Sequence, residues 1–292
     1  MDNQLLYTKH ELDYEYPALK RSKNNLIHVG LNQEIIEFDG WHLPGQKEKR
    51  SDCGKWSFMG CMNTELHPNG KIFLKPFQKS CFRADCELCC FKWAYRSASK
   101  ATKRMETYEK QSKKIAKHII VSLPVWDHYL PKKEMAKKVY AVLKKVNAKS
   151  GLVIYHPFRY DKTRNVWFYF PHFHCIGFDW IENVVETYNK SGYIIKNLGK
   201  RKSLFGTIHY QLSHCGIKKN NHSLVYFGDC SYSRLKIEKS EESDRKCPYC
   251  QENLQELDYY SDSGLEPDPN IATTDLLIEC FSWFLKTPYQ KI

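Results

Sequence analysis

A chain of 292 residues with 42% apolar and 14% aromatic content has the material for a buried core, as one large domain or two smaller ones. Its formal charge of +12 and pI near 9.0 favour polyanionic partners, because each phosphate neutralised releases counterions. No run of about 18 apolar residues occurs and Met1-Asp2-Asn3-Gln4 opens no signal peptide, so no membrane span and a cytoplasmic, reducing location are expected.

Residues 1–45 are polar with short apolar patches and suggest an arm or peripheral layer. Residues 46–95 hold the first cluster of cysteines. From Phe91 to Lys117 the chain is rich in Ala, Lys, Arg and Glu without Pro or Gly, as a helix requires. Its Arg96, Lys100, Lys103 and Arg104 fit either a phosphate-facing stripe or a solvated face. A buried strand, His118 to Leu123, is stopped by Pro124. Lys132 to Lys149 is helical, with Met135, Val139, Val142, Leu143 and Val146 at three- and four-residue intervals. Leu152 to His156 and Val166 to Phe178 read as two strands of an antiparallel hairpin. Gly192 to Lys196 is a further strand. Ser203 to Cys215 is a helix with Ser203 near its N-cap, ending at Gly216. Leu224 to Gly228 is a last short strand. Residues 236–292 comprise a charged linker, a Cys-Pro-Tyr-Cys knuckle, an acidic tail and an apolar helix from Leu276 to Phe284.

Three residue patterns carry chemistry. His172-Phe173-His174 lies within a strand, where period-two geometry turns both imidazoles to one face and Phe173 to the other. Such a pair suits one divalent cation, although plain strand can read the same way. If the hairpin turn centres near Arg164, His156 falls opposite His172 on that face and supplies a third ligand; a one-residue slip would remove it. An ion with open positions on a basic protein suits phosphoryl transfer, which also needs a nucleophile. Tyr210 shares a helix face with His214, four residues on. It is one of 19 tyrosines, so an ordinary core position is the competing reading.

Twelve cysteines in a reducing location call for metal rather than disulfides. Cys81-x4-Cys86-x2-Cys89 is half of a zinc site, with Cys53 or Cys61 upstream to complete it. Cys247-Pro-Tyr-Cys250 is a second knuckle. The two pairs form one four-cysteine site or belong to two. Cys175, Cys215 and Cys280 read as core residues, while Cys90 and Cys230 stay open. Arg83, Lys92, Arg96 and Lys100 are placed for presentation by a zinc-braced surface. Aromatic and basic residues alternate around Arg159 and from Tyr226 to Arg234, as in single-strand grooves and in ordinary strands alike.

Taken in order along residues 53–250, these motifs resemble the HUH endonuclease superfamily, and more closely the rolling-circle replication initiators of archaeal plasmids and viruses. Ile119-Ile120-Val121-Ser122-Leu123-Pro124 matches the first motif, Pro171-His172-Phe173-His174 the metal-binding second, and Tyr210 in Tyr-Gln-Leu-Ser-His the third. The third departs from the common form, in which lysine follows the tyrosine by three residues; here that position is Ser213, and His214, Lys202 or Lys218 is left to take its role. Tyr226 and Tyr232 are reserve nucleophiles. The resemblance implies an α+β fold with a ferredoxin-like antiparallel sheet, helices on one face, and added cysteine-rich zinc-binding elements. The core would span 96–235, with the arm at 1–45, the zinc region at 46–95 and the linker, knuckle and C-terminal helix at 236–292. It further implies Mg²⁺ or Mn²⁺ on His172, His174 and His156, and attack by Tyr210 on single-stranded origin DNA to leave a 5′-phosphotyrosine. Host replication machinery would be a partner, and Arg96, Lys100, Arg159, Lys202, His214 and Arg234 would hold the strand. Structural zinc would be bound among Cys53, Cys61, Cys81, Cys86, Cys89, Cys247 and Cys250. No Gly-x-x-x-x-Gly-Lys-Ser/Thr loop occurs, so no fused helicase is expected. A non-catalytic, zinc-stabilised DNA-binding regulator explains charge and cysteines but not the motif order; a transposase of the same superfamily would share the chemistry.

Overall fold

The computed structural model describes residues 20–28, 31–161, 166–179, 181–238, 245–259, 276–278 and 283–285. In chain order the strands are β1 (Lys20–His28), β2 (Leu31–Phe38), β3 (Trp41–His42), β4 (Trp56–Cys61) and β5 (Ile72–Gln78). Helix α1 (Cys90–Ser112), β6 (Lys117–Ser122), α2 (Lys132–Lys145), β7 (Gly151–Asp161), β8 (Val166–Gly177), α3 (Val184–Ser191), β9 (Ile194–Asn197), α4 (Leu204–Leu212) and β10 (Leu224–Phe227) follow. The last strands are β11 (Gln255–Tyr259), β12 (Leu276–Ile278) and β13 (Trp283–Leu285). The protein is thus mixed α+β with antiparallel sheets. It divides into two compact units, one of residues 1–48 and 82–237, the other of residues 49–81 and 238–292. Both are discontinuous in sequence, whereas the boundaries drawn from composition ran in chain order.

In the first unit a five-stranded sheet has the order β10-β7-β8-β6-β9, every neighbour antiparallel. Both its faces are apolar. Val153, Tyr155, Phe173 and Cys175 point one way, onto Met135, Val139, Val142 and Leu143 of α2. Leu152, Ile154 and Ile176 point the other way, onto Ala94, Ala98, Ala101 and Met105 of α1 and Ile208 and Leu212 of α4. Each of these large side chains contributes about 1.5–3 kcal/mol by leaving water. The expectation of helices on one face is therefore corrected: α2 covers one side, α1 and α4 the other. Near-continuous apolar runs in β7 and β8 require it, since a sheet half exposed would alternate with polar residues.

Two local features set what the α4 side presents. The β7–β8 register shifts between His156 and Phe158: Pro157 alone stands against two residues of β8, Phe170 and Pro171. Past this bulge the alternation of β7 is reversed, so Phe158 joins Tyr155 in the α2 core and Arg159 turns to the face of His156. Gly216, just past α4, donates its N–H to the Tyr155 carbonyl at 2.9 Å. A Cβ there would lie 2.6 Å from Pro157 Cδ and 3.0 Å from Trp41. Only glycine lets the end of α4 approach β7 this closely. The segment 1–45 contributes the sheet β1-β2-β3. His42 exchanges backbone hydrogen bonds with Ile217 at 3.0 and 2.8 Å, so part of the expected arm is packed against the chain that follows α4.

The second unit is a five-stranded antiparallel sheet of order β12-β5-β4-β11-β13, with Phe58, Ile72, Leu74 and Leu257 in its core. Its composition corrects the C-terminal helix expected from Leu276 to Phe284. Leu276–Ile278 instead pairs with β5, and Trp283–Leu285 with β11. A short unbroken apolar run reads alike as helix or buried strand, and here open sheet edges decided the outcome. Cys280 lies outside the described residues.

The close approach at Gly216 yields a prediction. Gly216→Val forces Pro157 or Trp41 to move and should cost about 1–3 kcal/mol of overpacking in chemical denaturation. A variant as stable as the parent would show that α4 is not seated on the bulge.

Candidate metal centre

The β7–β8 register places His156 opposite His172 and Ile154 opposite His174, as a turn near Arg164 requires. The three histidines share one sheet face, and one ring nitrogen from each lies within 4.8 Å of the others. Ring centroids are 4.4 Å apart for His156 and His174, and 5.2 Å for His156–His172 and His172–His174. All three are buried. His172 Nδ1 lies 2.9 Å from the Phe170 carbonyl and so carries its proton there, leaving Nε2 as the free lone pair. His174 Nδ1 lies 2.8 Å from His118 Nε2, so one ring donates to the other; with His174 as the donor, its Nε2 would be the free lone pair.

His156 is different. It is 0% exposed, and neither ring nitrogen has a hydrogen-bond partner. A buried imidazole with two unmatched nitrogens costs on the order of 1–3 kcal/mol per group unless something satisfies it. Charge cannot do so. Burial, then the neighbouring His174, holds His156 well below the ordinary histidine range. Burial, then Arg159, does the same for His172; burial, then His172, does so for His174. Three neutral imidazoles with converging lone pairs are the donor set of a borderline divalent ion such as Mn²⁺ or Zn²⁺. No carboxylate belongs to the group, so Mg²⁺, which prefers oxygen, is the poorer match.

Helix α4 brings Tyr210 to this centre. Ser203 caps it, its Oγ accepting from the Gly206 N–H at 2.9 Å. Ile208 and Leu212 anchor its inner face, leaving Tyr210 64% exposed. The Tyr210 ring lies 4.7 Å from His214, and the His214 ring 4.7 Å from His156. Burial lowers His214 to about 4 despite an opposing hydrogen bond to the Tyr210 backbone. An uncharged imidazole thus separates the phenol from the triad. Arg159 approaches from the other side: its guanidinium donates to Ser122 Oγ at 2.6 Å and stacks 4.4 Å from Phe170. Ser122, from the first motif, pairs directly with His172.

The other expected strand contacts and alternates fall elsewhere in this unit. Ser213 caps α4, its hydroxyl donating to the Tyr210 carbonyl at 2.8 Å. Lys218 is engaged by Asp39, and Arg234 by Asp229. Lys202 is exposed just before α4, and Arg96 and Lys100 are exposed on α1. Tyr226 and Tyr232 flank the Arg104 guanidinium at 4.9 and 4.4 Å instead of meeting the histidines. His118 carried no role in the sequence reading. It stands two and four residues before Ile120 and Ser122 on one strand, which was the available signal that it shares their face.

In the second unit Cys61, His67, Cys247 and Cys250 place their ligand atoms within 4.8 Å of one another. Cys61 and Cys250 sulfurs are 3.5 Å apart, and Cys247 Sγ is 3.2 Å from His67 Nε2. His67 Nδ1 donates to the Lys71 carbonyl at 3.0 Å, which points Nε2 at the thiols. The Glu252 backbone N–H, followed by neighbouring thiol and imidazole contacts, draws Cys250 down to about 7, while burial pushes Cys61 up to about 12. This set could hold a zinc ion. Cys61 thus joins the Cys247–Cys250 knuckle, while Cys53 and Cys81 belong to the second unit and Cys86 and Cys89 to the first. His67 was missed because a lone histidine 180 residues from its partner Cys247 leaves no spacing signature. Cys175, Cys215 and Cys230 are core residues, and Cys90 opens α1.

Searches against family models, curated proteins and solved structures return no match to this chain. Among the described residues no helix is long and apolar enough to cross a membrane.

Two outcomes follow. His118 and His214 are both lowered from 6.5 to about 4, chiefly by burial. The unfolded chain therefore binds their protons at higher pH than the folded one. Their stabilisation is full above about 6.5 and is lost as pH falls through about 4, by at most about 3 kcal/mol each. Urea midpoints of metal-stripped protein should drop between pH 7.5 and 4.5, less so in His214→Asn; a flat profile would contradict the buried, neutral assignment. Separately, Cys247→Ser should lose one equivalent of zinc by elemental analysis and melt earlier. Retention of the full zinc content would remove Cys247 from the ligand set.

Proposed function

We propose that this chain cuts and rejoins single-stranded DNA as a rolling-circle initiator of the HUH type, the five-stranded sheet serving as a ferredoxin-like nuclease core. The observation that carries this reading is the meeting of His156, His172 and His174 with the Tyr210–His214 face of α4. The three motifs lie far apart in sequence, and independent packing would have no reason to gather them over one orphaned imidazole.

A divalent ion held by the three histidines would supply Lewis-acid polarisation of the scissile phosphate. The chain's own residues do the rest. Tyr210 Oη attacks phosphorus, the bond to the 3′ oxygen breaks, and the 5′ phosphate remains on the phenol. The phenolic proton leaves to the solvent that reaches the exposed Tyr210 side chain, and the departing 3′ oxygen takes a proton from water. Arg159, fixed by Ser122 and Phe170, offsets the charge that develops on the phosphate oxygens. His214 packs against the phenol but, being uncharged, does not replace the lysine that the third motif lacks at Ser213. Because one phosphodiester is exchanged for another, the freed 3′ hydroxyl can reverse the step, and no nucleotide is consumed. The +12 charge suits such a partner.

The test is a random-sequence pool of labelled single-stranded oligonucleotides incubated with protein and Mn²⁺, then denatured in SDS. A covalent adduct is expected, absent in Tyr210→Phe and reduced at least about 100-fold in His156→Ala, as for loss of a metal ligand. An adduct that survives Tyr210→Phe would assign the nucleophile elsewhere. DNA binding without any adduct would favour the non-catalytic regulator, with the cysteine groups as its framework.

A further inference from the structure

Beside the histidine triad lies a cleft that the chemistry above does not use. Lys117, His118, Lys200, Arg201, Glu109 and Leu204 are among its lining residues, and its cavity volume is about 40 Å³. That is far below a pocket for a drug-sized ligand and leaves room for one small group.

The triad decides what that group must be. With an ion in the triad, His174 would present Nε2 to it, so its proton would sit on Nδ1 and be donated to His118 Nε2, 2.8 Å away. His118 must then carry its own proton on Nδ1. That nitrogen is buried without a partner, on a residue 3% exposed. The missing ligand atom is therefore a hydrogen-bond acceptor. Charge narrows it further. Lys200 and Arg201 are exposed cations, and Lys117, which donates to the Asp179 carbonyl at 2.8 Å, adds a third. Against them stands only Glu109, one of whose oxygens accepts the Ala116 N–H at 3.0 Å. Leu204 is the first residue of α4, whose first turn holds no acidic side chain.

We propose that this cleft is a phosphate subsite, in which His118 donates to a phosphate oxygen while Lys200 and Arg201 neutralise its charge. Assigning that phosphate to the bound DNA strand, beside the one that is cut, rests on the nuclease reading. A free phosphate offers the same chemistry. His118 then connects the two places: phosphate on one nitrogen, His174 on the other. A bound strand would hold His174 in the tautomer that keeps its Nε2 available.

The experiment uses the full chain loaded with Mn²⁺. Affinity for a 12-nucleotide single strand is measured across salt concentrations, and inorganic phosphate binding is measured by ³¹P line broadening. In the doubly substituted Lys200→Ala, Arg201→Ala protein, strand affinity should fall about tenfold. The slope of log K against log salt should shrink by about 0.7, as when one fewer phosphate of a single strand is neutralised. Mn²⁺ affinity should stay unchanged, which separates this effect from damage to the triad. His118→Phe, which keeps both cations, should weaken the same binding. If inorganic phosphate binding is lost in these variants while the strand slope is unaltered, the subsite stands and its occupant is free phosphate. Parent protein that binds neither probe, or variants that bind both as the parent does, would overturn the proposal. Absence of the Tyr210 adduct would sink the nuclease reading alone, because the inorganic phosphate measurement does not depend on it.

Discussion

Three uncharged imidazoles are buried side by side on one sheet face, and one of them, His156, has no hydrogen bond at all. A fold that kept such a group for packing alone would gain by replacing it with leucine, since an unmatched buried polar group costs more than it returns. The surrounding structure makes sense around that cost. The bulge opposite Pro157 brings Arg159 to the same face, Gly216 lets α4 close over it, and the Phe170 carbonyl fixes which nitrogen of His172 is free. Each feature concerns the disposition of lone pairs and charge at one point.

Much of this was legible in residue order. Alternation in Pro171-His172-Phe173-His174 gave the shared face, and the symmetric polar gap around Arg164 gave the pairing of His156 with His172. The Ser203 cap marked the start of α4 correctly, and the spacing of Tyr210 and His214 gave their common side. What stayed hidden depended on phase or on long-range partners. A β-bulge shifts alternation by one residue, so Arg159 could be suspected only from composition. The coverage of both sheet faces required knowing where α2 packs. The C-terminal apolar run carried no period to separate strand from helix, and the sheet edges offered by β5 and β11 settled it. His67 and His118 are single histidines whose partners lie 180 and 56 residues away.

The clusters that could hold a metal also sort by ligand. Thiolates joined by one imidazole give a closed four-ligand set in the second unit, the pattern of a zinc ion that contributes folding energy. The three imidazoles of the first unit leave coordination positions unfilled by protein, the pattern of an ion that meets something else.

The central claim is that His156, His172 and His174 converge on one ion through their Nε2 atoms. Crystals of the full chain grown with Mn²⁺, with diffraction collected at the manganese edge, test it most directly. The account predicts an anomalous peak bonded to those three nitrogens, with Tyr210 facing it across His214. Manganese absent from the triad, with His156 instead hydrogen-bonded to protein groups in a repacked interior, would contradict it.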